Sequence, residues 1–295
     1  MTAAGGRLAL VTGAGGQLGR VVVALAPAGW RVAGYDAEAL DVSSQSAVTA
    51  AVERDRPAVV FNLAGFTGVD AAEGNPGRAT QVNVDGAAYV ATAAAATGAR
   101  TIHVSTDYVF DGRQAKPYSP DDEPNPLSVY GRTKLEGERE VARAAGPAGV
   151  VVRTAWLHAA QGRNFVRTML RRMAGRDEFG VVCDQVGTPT SARSLAEALW
   201  AVAARPEIHG VLHWTDAGVA SWYDFAMAIQ EEALGLGLLH RAVPVRPLAT
   251  EEFPTPARRP AYSVLDKRDT WRTLGLPVRH WRVRLRETLA ELAHG

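Results

Sequence analysis

The sequence predicts an α/β fold, a doubly wound parallel sheet carrying a smaller α/β lobe in its C-terminal half. Three observations predict it. Short apolar runs alternate with helical patterns through the first half, as parallel βαβ units require. The runs LALVT, AVVFNLA and GVVVRTAW are apolar at successive positions, as in strands that helices cover on both faces. After Trp156 the texture changes to helical segments separated by brief strand candidates.

Each element follows from its residues. LALVT at 8–12 reads as a buried strand that runs into a glycine-rich turn, with a helix from about 17 to 28 ending near Gly29. RVAGYD at 31–36 and AVVFNLA at 58–64 are the next strands. The alanine-rich segment 78–97 predicts one long helix with Gly98 as its C-cap. RTIHVST at 100–106 is a strand, SVYGRTKLEGE at 128–138 suits a helix, and GVVVRTAW at 149–156 is a further strand. Beyond it, helices are expected at 164–175, 191–204 and 221–234, with a short strand at 210–215. Five prolines between Val243 and Pro260 predict an extended surface segment. The chain divides into 1–155, holding the sheet, and 156–295, a lobe interleaved with it through segments that return to the sheet.

Bulk properties exclude several classes. The formal net charge is +1 with 21% charged residues, so neither a nucleic-acid surface nor a polyanion partner is indicated. One cysteine, Cys183, allows no internal disulfide and is expected to be a buried apolar filler. Glycines interrupt the N-terminal apolar run too early for a signal peptide, and no window is long enough to span a bilayer. The expected location is the cytoplasm. The seven histidines show no metal-ligand spacing.

The turn TGAGGQLGR places Gly13, Gly16 and Gly19 as GxxGxxG between strand and helix. Such glycines let the backbone approach a pyrophosphate, and the following helix N-terminus offers its unpaired N–H groups to the charge. A glycine triplet alone marks a plain tight turn as readily. The strand before it and the helix after it supply the context of a dinucleotide site, so the fold is Rossmann-type and 1–155 is the NAD(P)-binding part. Asp36, about twenty residues on, is placed to accept from the adenosine ribose. Its charge disfavours a 2′-phosphate and Arg20 offsets that, so NADPH and NADH both stay open.

The strand at 100–106 ends in STDYVFDG, which sets Thr106 where such sheets open into a ligand crevice. Tyr130 follows, with Lys134 one helical turn later. Ser/Thr, Tyr and Lys in this order after a dinucleotide turn resemble the proton-transfer group of the extended short-chain dehydrogenases/reductases. Hydride addition to a ketone leaves an oxygen that needs a proton. Tyr130 is read as the acid, Thr106 as the polariser, and Lys134 as the clamp on the nicotinamide ribose. Lys134 and an oxidised nicotinamide are expected to lower the phenol pKa from about 10.

STDYVFDG, VYGRTKLEGE, RTAWL, NFVRTML, DQVGTPTSA, SWYDFA and ARRPAYSVLD together are similar to the dTDP-4-dehydrorhamnose reductases, from about Leu8 to the C-terminus. The resemblance implies reduction of the C4 ketone of a dTDP-4-keto-6-deoxy-L-sugar by NADPH or NADH. It implies that Thr106, Tyr130 and Lys134 are catalytic and that Thr106, Asp107, Tyr108 and Trp156 contact the sugar. Gly13, Gly16, Gln17, Leu18 and Gly19 would cradle the pyrophosphate, with Asp41 and Val42 near the adenine. Asn62, Ala64 and Gly65 would line the nicotinamide side, and Asn83 would shore up the site from a helix. Phe66, Thr133 and His158 depart from the usual tyrosine, serine and tyrosine, which puts contacts at 66 and 158 in question. Some members dimerise around Mg²⁺ held by glutamates. No such ligands can be placed here, so Mg²⁺ is unassigned and the chain is a monomer or homodimer.

Arg259, beside Arg258, is a candidate for the nucleotide diphosphate, since arginine suits phosphate. Trp222 reads as a core aromatic, and Asp184 and Gln185 as loop polars. The alternatives are a reductase of another dTDP-4-ketosugar and a non-catalytic NAD(P)-binding regulatory subunit. A dehydratase is disfavoured because STDY supplies only Asp107 beside the threonine, where dehydratases carry a further acid.

Overall fold

The computed structural model describes residues 6–294. Six parallel strands form the central sheet: β1 (Arg7–Thr12), β2 (Trp30–Tyr35), β3 (Val59–Asn62), β4 (Arg100–Thr106), β5 (Gly149–Thr154) and β6 (Gly210–His213). Their order is β6-β5-β4-β3-β1-β2. The chain steps outward from β1 to β2, then returns across β1 to start β3. That reversal opens a crevice at the carboxyl ends of β1 and β3, where open α/β sheets bind ligands.

The longer helices in chain order are α1 (Gln17–Ala24), α2 (Gln45–Asp55), α3 (Gly86–Ala96), α4 (Val129–Ala145), α5 (Phe165–Gly175), α6 (Ala192–Ala203), α7 (Trp222–Gly235) and α8 (Trp281–His294). Side chains along each strand divide between two cores. Ala9 and Val11 of β1, Val59 and Phe61 of β3, and Val150 and Val152 of β5 meet Leu18 and Val22 of α1 and Leu195 and Leu199 of α6. Leu10 and Val60 meet Val48 and Val52 of α2 and Val90 of α3, while Val151 meets Val141 of α4. The sheet is thus covered on both faces, and helix α6 and strand β6 from the second half complete it. A separate core joins Met169 and Met173 of α5, Phe225 and Ile229 of α7, and Trp281 and Leu285 of α8.

Four details differ from the sequence reading. Helix α1 stops at Ala24 because Pro27 disfavours helical backbone at the residue before it. The segment 78–97 is not one helix. A short helix (Pro76–Thr80) gives way to a π-helical turn (Gln81–Asp85) before α3 begins. The turn carries Asn83 inward, where its amide bonds Phe66 and Thr133, and such bulges are found at functional sites. Within the proline-rich segment, Val245–Leu248 pairs in parallel with Phe179–Val182, a two-stranded edge that tolerates Pro247. Helices α2 and α8 went unread.

Candidate active site

The glycine turn is built by contacts that admit no side chain. A Cβ on Gly13 would lie 2.9 Å from the Ala64 nitrogen, and one on Gly19 would lie 2.2 Å from the Gly13 carbonyl. Gly13 also has φ +67°, which favours glycine. Gly16 is the N-cap of α1 and offers no side chain to the first-turn N–H groups of Gln17, Leu18 and Gly19, which have no partner within the helix. This cradle fits a pyrophosphate. Leu18 itself is core, so only its backbone can serve. Asp36 lies against the turn: a Cβ on Gly15 would come 3.0 Å from the Asp36 Cβ. Its Oδ1 accepts from the N–H groups of Glu38 and Ala39, leaving Oδ2 toward solvent. Asp41 is exposed and paired with Arg78 at 3.5 Å, whereas Val42 is buried against Gly86.

Asn62, Ala64 and Gly65 floor the crevice. Asn62 spends its amide on Thr12 and His103, and the Ala64 N–H goes to the Thr12 hydroxyl. Asn83 holds the next stretch, accepting from the Phe66 N–H at 2.8 Å and donating to the Thr133 hydroxyl at 3.0 Å. Asn62 and Asn83 are therefore buried pins that fix the backbone beside the crevice.

Thr106 ends β4 and Tyr130 begins α4. Helix α4 starts where it does because the Ser128 hydroxyl caps the Gly131 N–H and Glu73 accepts from the Val129 N–H at 2.8 Å. The Thr106 hydroxyl donates to Asp107 Oδ1 at 3.0 Å and accepts from the Tyr108 N–H at 3.1 Å, and the Tyr108 ring meets Tyr130 edge-on at 5.9 Å. Burial pushes the Tyr130 phenol up to about 12; the neighbouring Thr106 hydroxyl opposes this, and the Asp107 charge adds to it. This corrects the expectation that Lys134 lowers the phenol. In the protein by itself the lysine nitrogen is turned to the Val104 carbonyl at 2.7 Å and His103 Nε2 at 3.1 Å, and desolvation wins. Burial also pulls Lys134 down to about 8, against the pull of Glu138. Asp107 is buried and pushed up to about 7, although the Thr106 hydroxyl donates to its Oδ1, and its Oδ2 accepts nothing.

On the lobe side, Arg259 is near enough to Tyr108 for its charge to act on the phenol, and makes a two-pronged pair with Asp70, at 2.7 Å and 3.0 Å. Asp70 also accepts from the Ala257 N–H, so the segment before Arg259 is strapped to the helix that follows β3. Beside it opens a cavity of about 370 Å³ lined by Tyr108, Gln185, Phe165, Trp222 and Arg259. Trp222 is thus partly exposed in the cavity rather than core. Trp156 does not line the cavity; it stacks on Trp222 with centroids 3.5 Å apart and planes 4° apart, and its φ is +46°. The structure therefore brings Thr106, Asp107, Tyr108, Tyr130 and Arg259 together and sets Trp156 one ring behind them.

Other expectations resolve as follows. His158 is fully buried against Thr288 and Phe225, too deep for a sugar. Asp184 and Gln185 both bond Thr250. Cys183 is exposed, not a buried filler, because it leaves the strand Phe179–Val182 with only its N–H tied, to the Leu248 carbonyl. Sequence reasoning missed His103 and Asp70. A histidine inside the otherwise apolar run RTIHVST was the available signal for the first; nothing local marked the second. Among the described residues no group of three or more His, Cys, Asp or Glu side chains converges to hold a metal ion. No helix there is long and apolar enough to cross a membrane.

A family model described as the RmlD substrate binding domain matches residues 7–294. The chain belongs to that family. Similar RmlD-family proteins include the dTDP-4-dehydrorhamnose reductase of Mycobacterium tuberculosis, 45% identical across 97% of this chain and 93% of that protein. The probable dTDP-4,6-dihydroxy-2-methyloxan-3-one 4-ketoreductase of Streptomyces antibioticus is 43% identical across 96% and 95%. A crystal structure of the Bacillus anthracis dTDP-4-dehydrorhamnose reductase in complex with NADP superposes with a TM-score of 0.90 at 33% identity, covering 97% of this chain and 99% of that one. A UDP-glucose 4-epimerase from Thermus thermophilus, at 20% identity and TM-score 0.83, shares the fold.

Proposed function

We propose that the chain reduces the C4 ketone of a dTDP-linked 4-keto-6-deoxy-L-sugar, dTDP-4-dehydro-L-rhamnose first among them, with NADPH or NADH as reductant. The observation that carries this reading is the convergence of Thr106, at the end of β4, and Tyr130, at the start of α4, beside the Tyr108 ring. It lies at the carboxyl end of β4, and Tyr108 links it to the lobe cavity. The names of the similar proteins support the substrate class.

The cofactor supplies a hydride to the carbonyl carbon. Residues 1–155 hold it, with the glycine turn and the N-terminus of α1 taking the pyrophosphate and Lys134 the nicotinamide ribose. Lobe residues of 156–295 hold the nucleotide sugar. A phenol pushed up to about 12 is protonated at neutral pH, so Tyr130 enters the reaction loaded as an acid. Its proton goes to the sugar O4 as the C4–H bond forms, and the phenolate takes a proton back from solvent. Thr106, freed from Asp107, donates to the same oxygen and fixes its position. Arg259 exchanges one prong of its Asp70 pair for a diphosphate oxygen. Both reactants are metabolites of the cytoplasm, where we place the activity.

The Streptomyces antibioticus relative favours a second reading, a ketosugar with a different ring substitution. One assay tests both. The purified chain is given dTDP-4-dehydro-L-rhamnose, made in situ by a dehydratase and an epimerase, and separately other dTDP-4-ketosugars. Cofactor absorbance is followed with NADPH and with NADH. Oxidation that Tyr130→Phe lowers by about 10²–10⁴-fold is expected. Tight cofactor binding without turnover of any dTDP-ketosugar overturns the reading in favour of a regulatory subunit.

A further inference from the structure

The cavity beside Arg259 carries a positive charge that the protein leaves unanswered. Two arginines line it, Arg172 and Arg259, against one acid, Asp70. Asp70 gives both carboxylate oxygens to Arg259. Arg172 is half-buried, and among the described residues it has neither an ion pair nor a hydrogen bond. Phe165, Met169, Trp222 and Phe253 give the same cavity an apolar wall. Helix α5 places the free cation. Its N-cap, Asn164, donates to the Gln17 side chain at 3.3 Å, so the helix starts at the glycine turn. Phe165, Thr168, Met169 and Arg172 follow the three- and four-residue spacing of one helix face, and all four line the cavity. Eight residues at 1.5 Å rise carry Arg172 about 12 Å from that cap. Tyr108, which meets Tyr130, lines the cavity too. A ligand with its ketone at Tyr130 therefore has its tail in the space that Arg172 faces.

We propose that Arg172 is a further specificity-determining residue, whose guanidinium takes the diphosphate of the nucleotide sugar. The inference rests on the nucleotide-sugar reading above and deepens it. Arg259 reaches a phosphate only by giving up one prong of its Asp70 pair, whereas Arg172 exchanges water alone. A planar guanidinium matches two phosphate oxygens at once, so Arg172 selects a nucleoside diphosphate over the bare nucleoside. The apolar wall meets base and sugar alike and cannot make that distinction. Arg171, the preceding residue, carries the same charge near the same helix end. It turns to the Thr168 hydroxyl at 3.4 Å and is not part of the cavity lining. The two arginines therefore separate a phosphate contact from a general effect of charge on the end of α5.

Calorimetry on the full chain with dTDP and with thymidine tests this. The unaltered protein is expected to bind dTDP more tightly than thymidine. Arg172→Gln should weaken dTDP binding about 10–100-fold, the worth of a hydrogen bond to a charged group, and leave thymidine unchanged. Arg172→Lys should keep part of the preference for dTDP, and Arg171→Gln all of it. The proposal is overturned if the unaltered protein does not bind dTDP, or if a folded Arg172→Gln binds it equally well. It is also overturned if Arg171→Gln loses as much affinity as Arg172→Gln. If Arg172→Gln does not fold, the Arg172 Nε–H resonance of the unaltered protein, assigned by its loss in Arg172→Lys, decides: it must shift with dTDP and not with thymidine. None of these readings needs turnover. A chain that binds dTDP through Arg172 yet reduces no ketosugar refutes the reductase and leaves this inference standing. An active reductase indifferent to Arg172→Gln does the reverse.

Discussion

Glu138 receives Arg153 through Nε and Nη2, with side-chain exposures of 5% and 4%. Removing one member of such a pair strands the other charge and costs about 3–5 kcal/mol. Glu138→Gln is therefore expected to lower urea stability by about that amount, and the double change Glu138→Leu with Arg153→Met to recover most of it. Asp107 behaves oppositely. Its folded pKa of about 7 exceeds the ordinary 3.8, so its stabilising proton is fully present below pH 3.8 and lost as pH rises through 7. Asp107→Asn should raise the Tm at pH 8 and leave it unchanged near pH 3.5. Both residues were visible in the sequence as acids in a helix and after a strand. Their depth was not, because the segments that cover them, Arg153 of β5 among them, come later in the chain.

Helix α4 approaches its neighbours through two glycines. A Cβ on Gly131 would lie 2.2 Å from the Tyr108 carbonyl, and one on Gly137 would lie 2.2 Å from the Asn83 carbonyl. Overpacking of this kind costs about 1–3 kcal/mol. Gly131→Ala and Gly137→Ala should destabilise the fold by similar amounts. Gly131→Ala should also cut kcat at least tenfold, since it pushes Tyr130 away from Thr106; comparable kcat values for the two variants count against the site geometry. The strand–turn–helix at Gly13–Gly19 and the spacing of Tyr130 and Lys134 were legible, because a few adjacent residues specify them. The π-helical turn at Gln81–Asp85 was not, since Phe66 and Thr133, which draw Asn83 inward, are remote in sequence. Helix α8 escaped notice because its arginines mask the stripe of Leu285 and Leu289.

The whole molecule buries His103, His158 and His213 as neutral rings, burial holding the first well below its ordinary value and the other two at about 3. Folded values below 6.5 mean that their contribution is present above that pH and is lost as pH falls toward 3. Between about pH 4 and 6, Asp107 and Asp216, the latter raised to about 6, oppose them by keeping their protons in the folded state. The net slope there should be roughly one proton, about 1.4 kcal/mol per pH unit. Below pH 4 it should steepen past three, because Asp266, held down at about 2 by Arg268, adds a proton to the unfolded state there. A urea series across pH checks the break. Sequence showed seven histidines without showing which were inside. The face-to-face indoles of Trp156 and Trp222 add a different property. Transition dipoles held that close couple, so the near-ultraviolet circular dichroism should carry a paired band of opposite signs. Because Trp222 lines the cavity, an incoming nucleotide sugar would perturb that band, giving the protein a built-in optical gauge of occupancy that needs no label and no turnover.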